Sequence, residues 1–177
     1  ITAHTKAFQK DLFEEMKSRI KEDDESVPYF YNGYYYMTRF EKGQDYPIYS
    51  RRKGSLDAKE EIIFNCNEMA KGHSYFSLSG LSVSEDNKWV SFGIDLVSRR
   101  QYTIQIKNLE TNEILPEKIL NCSGGATWAS DNKTIFYVKN DLKTLRSDKI
   151  YRHTINKPST DDVLIYEEKD DTFNTFV

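Results

Sequence analysis

The stretch Gly80-Leu81-Ser82-Val83-Ser84-Glu85-Asp86-Asn87-Lys88-Trp89-Val90-Ser91-Phe92 returns as Ala126-Thr127-Trp128-Ala129-Ser130-Asp131-Asn132-Lys133-Thr134-Ile135-Phe136-Tyr137. Each copy reads as a short apolar strand, an Asp-Asn-Lys turn and an alternating strand. Asn or Asp at the tip tolerates positive φ at little cost, so the chain can reverse within two residues. Two further strand-like segments follow each turn before the next unit begins. A period of roughly 40–45 residues carrying four strands is the sequence signature of a propeller blade. The fold class expected is therefore all-β, an incomplete β-propeller of about three four-stranded antiparallel blades, preceded by one amphipathic helix.

That helix is read over Thr5 to Glu22. Phe8, Leu12, Met16 and Ile20 fall four apart on one stripe with Phe13 beside them, while Lys10, Asp11, Glu14, Lys17 and Lys21 take the other faces. Thr5 stands at the capping position, and Val27-Pro28 stops any continuation. A single helix ahead of strands needs a surface to pack on. The strands that follow and a separate domain are equally open on these residues.

From Tyr29 the period changes to two. Tyr29-Phe30-Tyr31 and Tyr34-Tyr35-Tyr36-Met37-Thr38 flank Asn32-Gly33, the strongest short hairpin signal. Tyr46 to Arg52 and Glu61 to Asn65 complete a first meander. The second is Gly80 to Ser84, Lys88 to Asp95, Gln101 to Lys107 and Ile114 to Leu120. The third is Ser123 to Ala129, Lys133 to Lys139, Lys149 to Ile155 and Asp162 to Glu167, after which Thr172 to Val177 begins a further strand. The expected organisation is a helical segment over 1–26 and a partial propeller over 27–177, with blades at 27–66, 79–120 and 123–168 and another starting at 172–177. Without a closing unit, blade faces and strand edges stay uncovered, and a chain of this extent is expected to self-associate through them.

Composition works by exclusion. Aromatic residues make up 14% and Tyr alone supplies 12, which favours strands over a helical bundle. A net charge of −3 is too small for a nucleic-acid or membrane surface. No apolar run approaches the ~20 residues of a membrane span, and no signal peptide is recognisable. Cys66 and Cys122 lack a ligand-spaced His or Cys and read as free thiols of a reducing compartment, a disulfide being the alternative. A cytoplasmic protein is expected. The chain opens on Ile1 rather than Met, which reads as a piece of a longer polypeptide.

No stretch assembles a catalytic set. Gly80-Leu81-Ser82-Val83-Ser84 approaches a Gly-x-Ser-x-Gly nucleophile elbow, but Ser84 replaces the last glycine and the segment lies between strands. His4, His73 and His153 have no acid or second His at metal spacing and read as solvated or hydrogen-bonded residues. Gly124-Gly125 is too short to cradle a phosphate and reads as a strand start that approaches other backbone closely. Glu167 to Asp171 reads as a charged connection between blades before it reads as a cation site. Arg51-Arg52-Lys53 and Arg99-Arg100 read as solvated loop charge, with an inter-domain salt bridge as the alternative. No metal or cofactor is expected.

The chain resembles the amino-terminal half of the oligopeptidase B (protease II) branch of the prolyl oligopeptidase family. The resemblance is carried by Glu25-Ser26-Val27-Pro28-Tyr29 with Gly33-Tyr34-Tyr35-Tyr36, by Tyr46 to Gly54 and by Asn67-Glu68-Met69-Ala70-Lys71-Gly72-His73. It is densest in Arg99-Arg100-Gln101-Tyr102, Lys107-Asn108-Leu109-Glu110-Thr111, Tyr151-Arg152-His153 and Asp162 to Asp171. It implies a propeller capping an α/β-hydrolase domain whose Ser, Asp and His all lie beyond Val177, so no catalytic residue is expected here. The intact protein is implied to cleave short peptides after Lys or Arg by acyl transfer, the propeller filtering access. It also implies that the segment 1–26 leads from the hydrolase domain, which becomes the helix's partner. Cys122 to Gly125 is implied to begin an inner strand, and Ser123 is the candidate to line the substrate cleft. The family carries Asp where this chain has Asn65, which puts any contact of that acid in doubt. A free-standing propeller-type binding module is the competing reading, and a hydrolase acting from this segment alone is a third.

Overall fold

The computed structural model describes residues 3–177. Two compact units, Ile1–Glu68 and Met69–Val177, are each built on one antiparallel sheet.

In the first unit a 3-10 turn, Ala3–Thr5, leads into α1, Lys6–Ser18. The helix ends before the expected Glu22 because the N–H groups of Arg19 and Ile20 turn back to Met16 and Lys17, tightening the last turn. Thr5 occupies the cap position without a side-chain cap bond; its hydroxyl accepts from Gln9 Nε2 at 3.1 Å. α1 buries no residue, and Phe8 and Phe13 are 67% and 62% exposed. The apolar stripe is real, and the strands that follow do not cover it.

Those strands form a meander in chain order, β1 (Tyr29–Tyr31), β2 (Tyr34–Arg39), β3 (Ile48–Lys53) and β4 (Glu60–Asn65). Asn32 (φ 46°) and Gly33 (φ 82°) both take left-handed dihedrals, the reversal whose twist suits paired strands. Met37, Ile48, Ile63 and Phe64 are buried. Asn65 Oδ1 accepts from the N–H of Asn67 (3.1 Å) and Glu68 (3.3 Å), starting the short helix α2, Cys66–Met69. An amide oxygen thus makes the capping contact that an aspartate would make there.

The second unit holds β5 (Ser77–Val83), β6 (Trp89–Asp95), β7 (Tyr102–Asn108), β8 (Ile119–Trp128), β9 (Thr134–Asn140), β10 (Ser147–Thr154) and β11 (Val163–Glu167), ordered β11-β10-β9-β8-β7-β6-β5. β6 and β9 begin 45 residues apart, as do β7 and β10. The two Asp-Asn-Lys turns share one geometry. Ser84 N–H bonds Trp89 O while Asn87 N–H bonds Ser84 O; Ala129 with Thr134 and Asn132 with Ala129 repeat the pattern. Asn87 (φ 61°) and Asn132 (φ 56°) are left-handed. Reversal therefore takes a wider turn closed by a left-handed Asn, not two residues.

A larger difference lies at β8. The separate strands expected at Ile114 to Leu120 and Ser123 to Ala129 are replaced by one strand, Ile119–Trp128. Its first part pairs with β7 (Ile104 with Ile119, Tyr102 with Cys122), and its second with β9 (Cys122 with Lys139, Trp128 with Ile135). Ahead of β8, the bridge from Lys107 to Ile114 and the bonds from Asn108 N–H to Glu113 O and from Leu115 N–H to Ile106 O continue the pairing with β7. Residues 172–177 form no strand; Thr175 N–H bonds Ser147 O at 2.7 Å. The core of this unit gathers Ile104, Ile106, Ile119, Cys122, Ile135 and Tyr137.

Adjacent repeats meet with little between them. A Cβ on Gly93 would lie 2.3 Å from Gly124 O, and one on Gly80 2.2 Å from the same oxygen. Trp128 Nε1 donates to Ser82 O (2.9 Å), and Asp86 N–H to Asn132 Oδ1 (3.0 Å), each joining residues 46 apart. The close approach expected of Gly124-Gly125 is what the backbone makes. Gly93→Ala is expected to destabilise by at least about 1–3 kcal/mol through overpacking against backbone that cannot yield. Gly33→Ala, with open space around it but φ at +82°, is expected to cost about 1–2 kcal/mol of left-handed strain. Urea midpoints of both variants check this; a neutral Gly93→Ala contradicts the contact.

Candidate functional site

A cleft of about 800 Å³ lies in the second unit. One wall is the loop between β6 and β7. There Asp95, buried at the end of β6, accepts four backbone N–H groups: Val97 (2.8 Å) and Ser98 (3.1 Å) on Oδ1, Arg99 (3.0 Å) and Arg100 (2.7 Å) on Oδ2. Ser98 (φ 63°) and Arg100 (φ 55°) are left-handed, a strain of about 1–2 kcal/mol each. Four charge-assisted bonds to one carboxylate offset that strain. The loop therefore holds Arg99 and Arg100 in one place, exposed, on the cleft wall.

The opposite wall is the loop between β9 and β10. Asp141 Oδ1 accepts from Lys143 N–H (2.9 Å) and Thr144 N–H (2.8 Å), and these backbone bonds hold its carboxyl below the ordinary range. Ser147 Oγ donates to Asn140 Oδ1 at 2.9 Å. Tyr102 lies between the walls, and its ring fills the space that a Cβ on Gly124 would take. Ser123 is exposed on β8 and lines both this cleft and a smaller one of about 220 Å³ bounded by Gly80, Ser82 and Gly125.

The remaining candidates fall outside the cleft or have structural employment. Ser82 lies on β5, its carbonyl taken by Trp128, with no base within the bonds it makes. His4 and His73 are exposed. His153 is fully buried, its Nδ1 2.6 Å from Asp162 Oδ1, and Tyr137 OH donates to Asp162 Oδ2 at 2.9 Å. Burial, then the Asp162 carboxylate, push the Tyr137 phenol above its ordinary value, so it remains a donor. This is a base–acid pair in distance alone, since substrate cannot reach it.

The basic triplet at Arg51 is not loop charge. It ends β3, and Arg51, only 4% exposed, pairs with Glu61 (2.9 Å) and lies 4.0 Å over the Tyr34 ring. The acidic run after β11 is gathered through carbonyls: Arg146 donates to Glu168, Asp170 and Phe173 O at 2.9–3.1 Å. Among the described residues no group of three His, Cys, Asp or Glu could hold a metal ion, and no helix is long and apolar enough to cross a membrane. Cys66 and Cys122 are both free and buried.

Asp95, Asp162 and Arg146 were not singled out in the sequence. For Asp95 a signal existed, an aspartate closing an alternating strand before a polar loop, where Asx bonding is common. Asp162 and Arg146 act across strands and left no local trace.

A strand pattern that recurs every 45 residues in an antiparallel meander defines a propeller segment. The family model for the prolyl oligopeptidase N-terminal beta-propeller domain matches residues 1–177, and the chain belongs to that family. It is 37% identical to dipeptidyl aminopeptidase BI of Pseudoxanthomonas mexicana over 98% of this chain and 26% of that protein. It is 30% identical to protease 2 of Moraxella lacunata over 95% of this chain and 25% of that one. Among solved structures, oligopeptidase B of Leishmania major superposes with a TM-score of 0.90 at 32% identity, covering 99% of this chain and 25% of that chain. The chain thus spans about a quarter of the length of these relatives. The partial propeller fold and its place at the amino-terminal side of S9-type peptidases follow from these matches.

The buried thiols give a direct check. Burial pushes Cys66 from an ordinary 9.0 to about 11 and Cys122 to about 12. At pH 8 the native protein is expected not to react with Ellman's reagent, and to release two equivalents once unfolded. The unfolded chain sheds these protons near pH 9 while the folded one keeps them, so their stabilising contribution is full below pH 9 and fades toward pH 11–12. Fast native labelling at pH 8 contradicts the burial.

Proposed function

We propose that this chain is the non-catalytic propeller segment of a serine oligopeptidase that cleaves short peptides after Lys or Arg, and that it gates access to an α/β-hydrolase domain. The observation that carries this reading is the propeller-domain match along all 177 residues. Chemistry then belongs to Ser, His and Asp of the second domain, by acyl transfer through an oxyanion hole. The segment contributes a wall that admits flexible peptides and excludes folded proteins, opening by domain motion.

Several features support the parts of this reading. The uncovered stripe of α1 (Phe8, Leu12, Met16), with Ile20 exposed just beyond its end, supports packing of the 1–26 segment on the hydrolase domain. β11 is exposed along its whole length, which supports a following blade in the full-length protein and self-association when residues 1–177 are isolated. Two buried free thiols support a reducing, cytoplasmic setting. Ser123, where the two clefts meet, is the residue of this segment expected to face substrate.

The test uses the full-length protein. It is expected to cleave a short Arg-containing peptide, to leave the same sequence intact inside a folded protein, and to lose activity to a serine-directed inhibitor. Residues 1–177 alone are expected to show no turnover. Ser123→Trp in the full-length protein is expected to lower kcat/KM on the peptide several-fold. Cleavage of the folded protein at the same rate refutes the gate, and unchanged kinetics in the Trp variant removes Ser123 from the cleft.

A further inference from the structure

Several of the described arginines are bound within the fold, and Arg152, exposed on β10, is not. Arg39 pairs with Glu41 and Glu60, Arg51 pairs with Glu61, and Arg146 is bound to three carbonyls. Arg99 and Arg100 donate no side-chain hydrogen bond and pair with no acid among the described residues, although the backbone beneath them is among the most heavily bonded in the chain. The cleft they border contains no acidic side chain; its other polar groups include Tyr102, Ser123 and Asn140. Two unpaired guanidinium groups, carried on a backbone that Asp95 fixes, stand beside neutral hydrogen-bonding groups and make a receptor for a planar anion. Guanidinium matches a carboxylate with two parallel N–H···O bonds.

We propose that Arg99 and Arg100 form a subsite that reads the C-terminal carboxylate of a short peptide substrate. The inference rests on the oligopeptidase reading above and adds to it which end of the peptide this segment recognises. Charge decides the orientation. A peptide cut after Lys or Arg has its basic side chain held by acidic groups, and this cleft has none; the pair repels that side chain and attracts the opposite charge. Every peptide carries one α-carboxylate, at a distance from the cut bond that grows with each residue. A carboxylate reader at a fixed place therefore favours short peptides and loses its hold on longer ones. The Asp95 bonds fix the backbone from which both side chains project. Asp95 is a positioning residue in this scheme.

The experiment is steady-state kinetics of the full-length protein on the pentapeptide Ala-Arg-Ala-Ala-Ala, as the free acid and as the C-terminal amide. Wild type is expected to favour the acid by about tenfold in KM, the size of a charge-assisted pair, with kcat little changed. Arg99→Gln/Arg100→Gln is expected to abolish that preference by raising KM for the acid alone. Its melting temperature is expected to match wild type, because neither side chain bonds to the fold. Lengthening the peptide on its C-terminal side is expected to erase the acid–amide difference in wild type as well. Equal cleavage of acid and amide by wild type overturns this inference while leaving the peptidase reading standing. So does a double variant that slows both peptides alike, since the carboxylate engaged would then be one of the protein's own. A full-length protein that cleaves neither peptide overturns both.

Discussion

Two repeats touch backbone to backbone because Gly80, Gly93 and Gly124 have no side chains to hold them apart. A methyl group on either of the first two would sit little more than 2 Å from the Gly124 carbonyl oxygen. The rest of the second unit depends on that contact. It lets β8 leave β7 and join β9 without a loop, brings the Trp128 indole within reach of Ser82 O, and places Tyr102 against the gap at Gly124. The cleft is a consequence. Its two loop walls face each other at a spacing set by how closely consecutive repeats approach.

Within that frame the chain uses buried or half-buried carboxylates to shape backbone. Asp95 ties down four N–H groups in a loop with two left-handed residues, and Asp141 does a smaller version of the same work one repeat later. Asp162 instead joins His153 to Tyr137 within the core. None of the three is arranged for proton transfer to a ligand. Asp95 and Asp141 stiffen the two loops that line the cleft, while Asp162 ties strands together in the core.

Much of this architecture was legible because it is written in local periodicity. Asn32-Gly33 between Tyr runs fixes a hairpin, and Ile104 and Ile106 alternating with Thr103 and Gln105 fix the buried face of β7. The stripe of α1 was equally plain, but a stripe does not name its partner. What stayed hidden was long-range. Nothing between Leu120 and Ser123 announces that one strand will serve two neighbours, since that follows from the glycine contact with residues over 25 positions away. Arg51 looked like loop charge because its burial depends on Tyr34 and Glu61 from neighbouring strands. Ser123 was pointed to only by resemblance, and nothing local to Arg99 and Arg100 shows that Asp95 fixes the backbone beneath them.

The central claim is that consecutive repeats act as one cooperative body whose glycine contact sets the cleft. Peptide-resolved hydrogen exchange on wild type and Gly93→Ala tests it most directly. The substitution is expected to raise exchange together in β5–β6, in β8–β9 and in the 96–101 loop, because one contact supports both repeats. Faster exchange confined to β6 and its immediate neighbours, with β8–β9 and the loop unchanged, contradicts it.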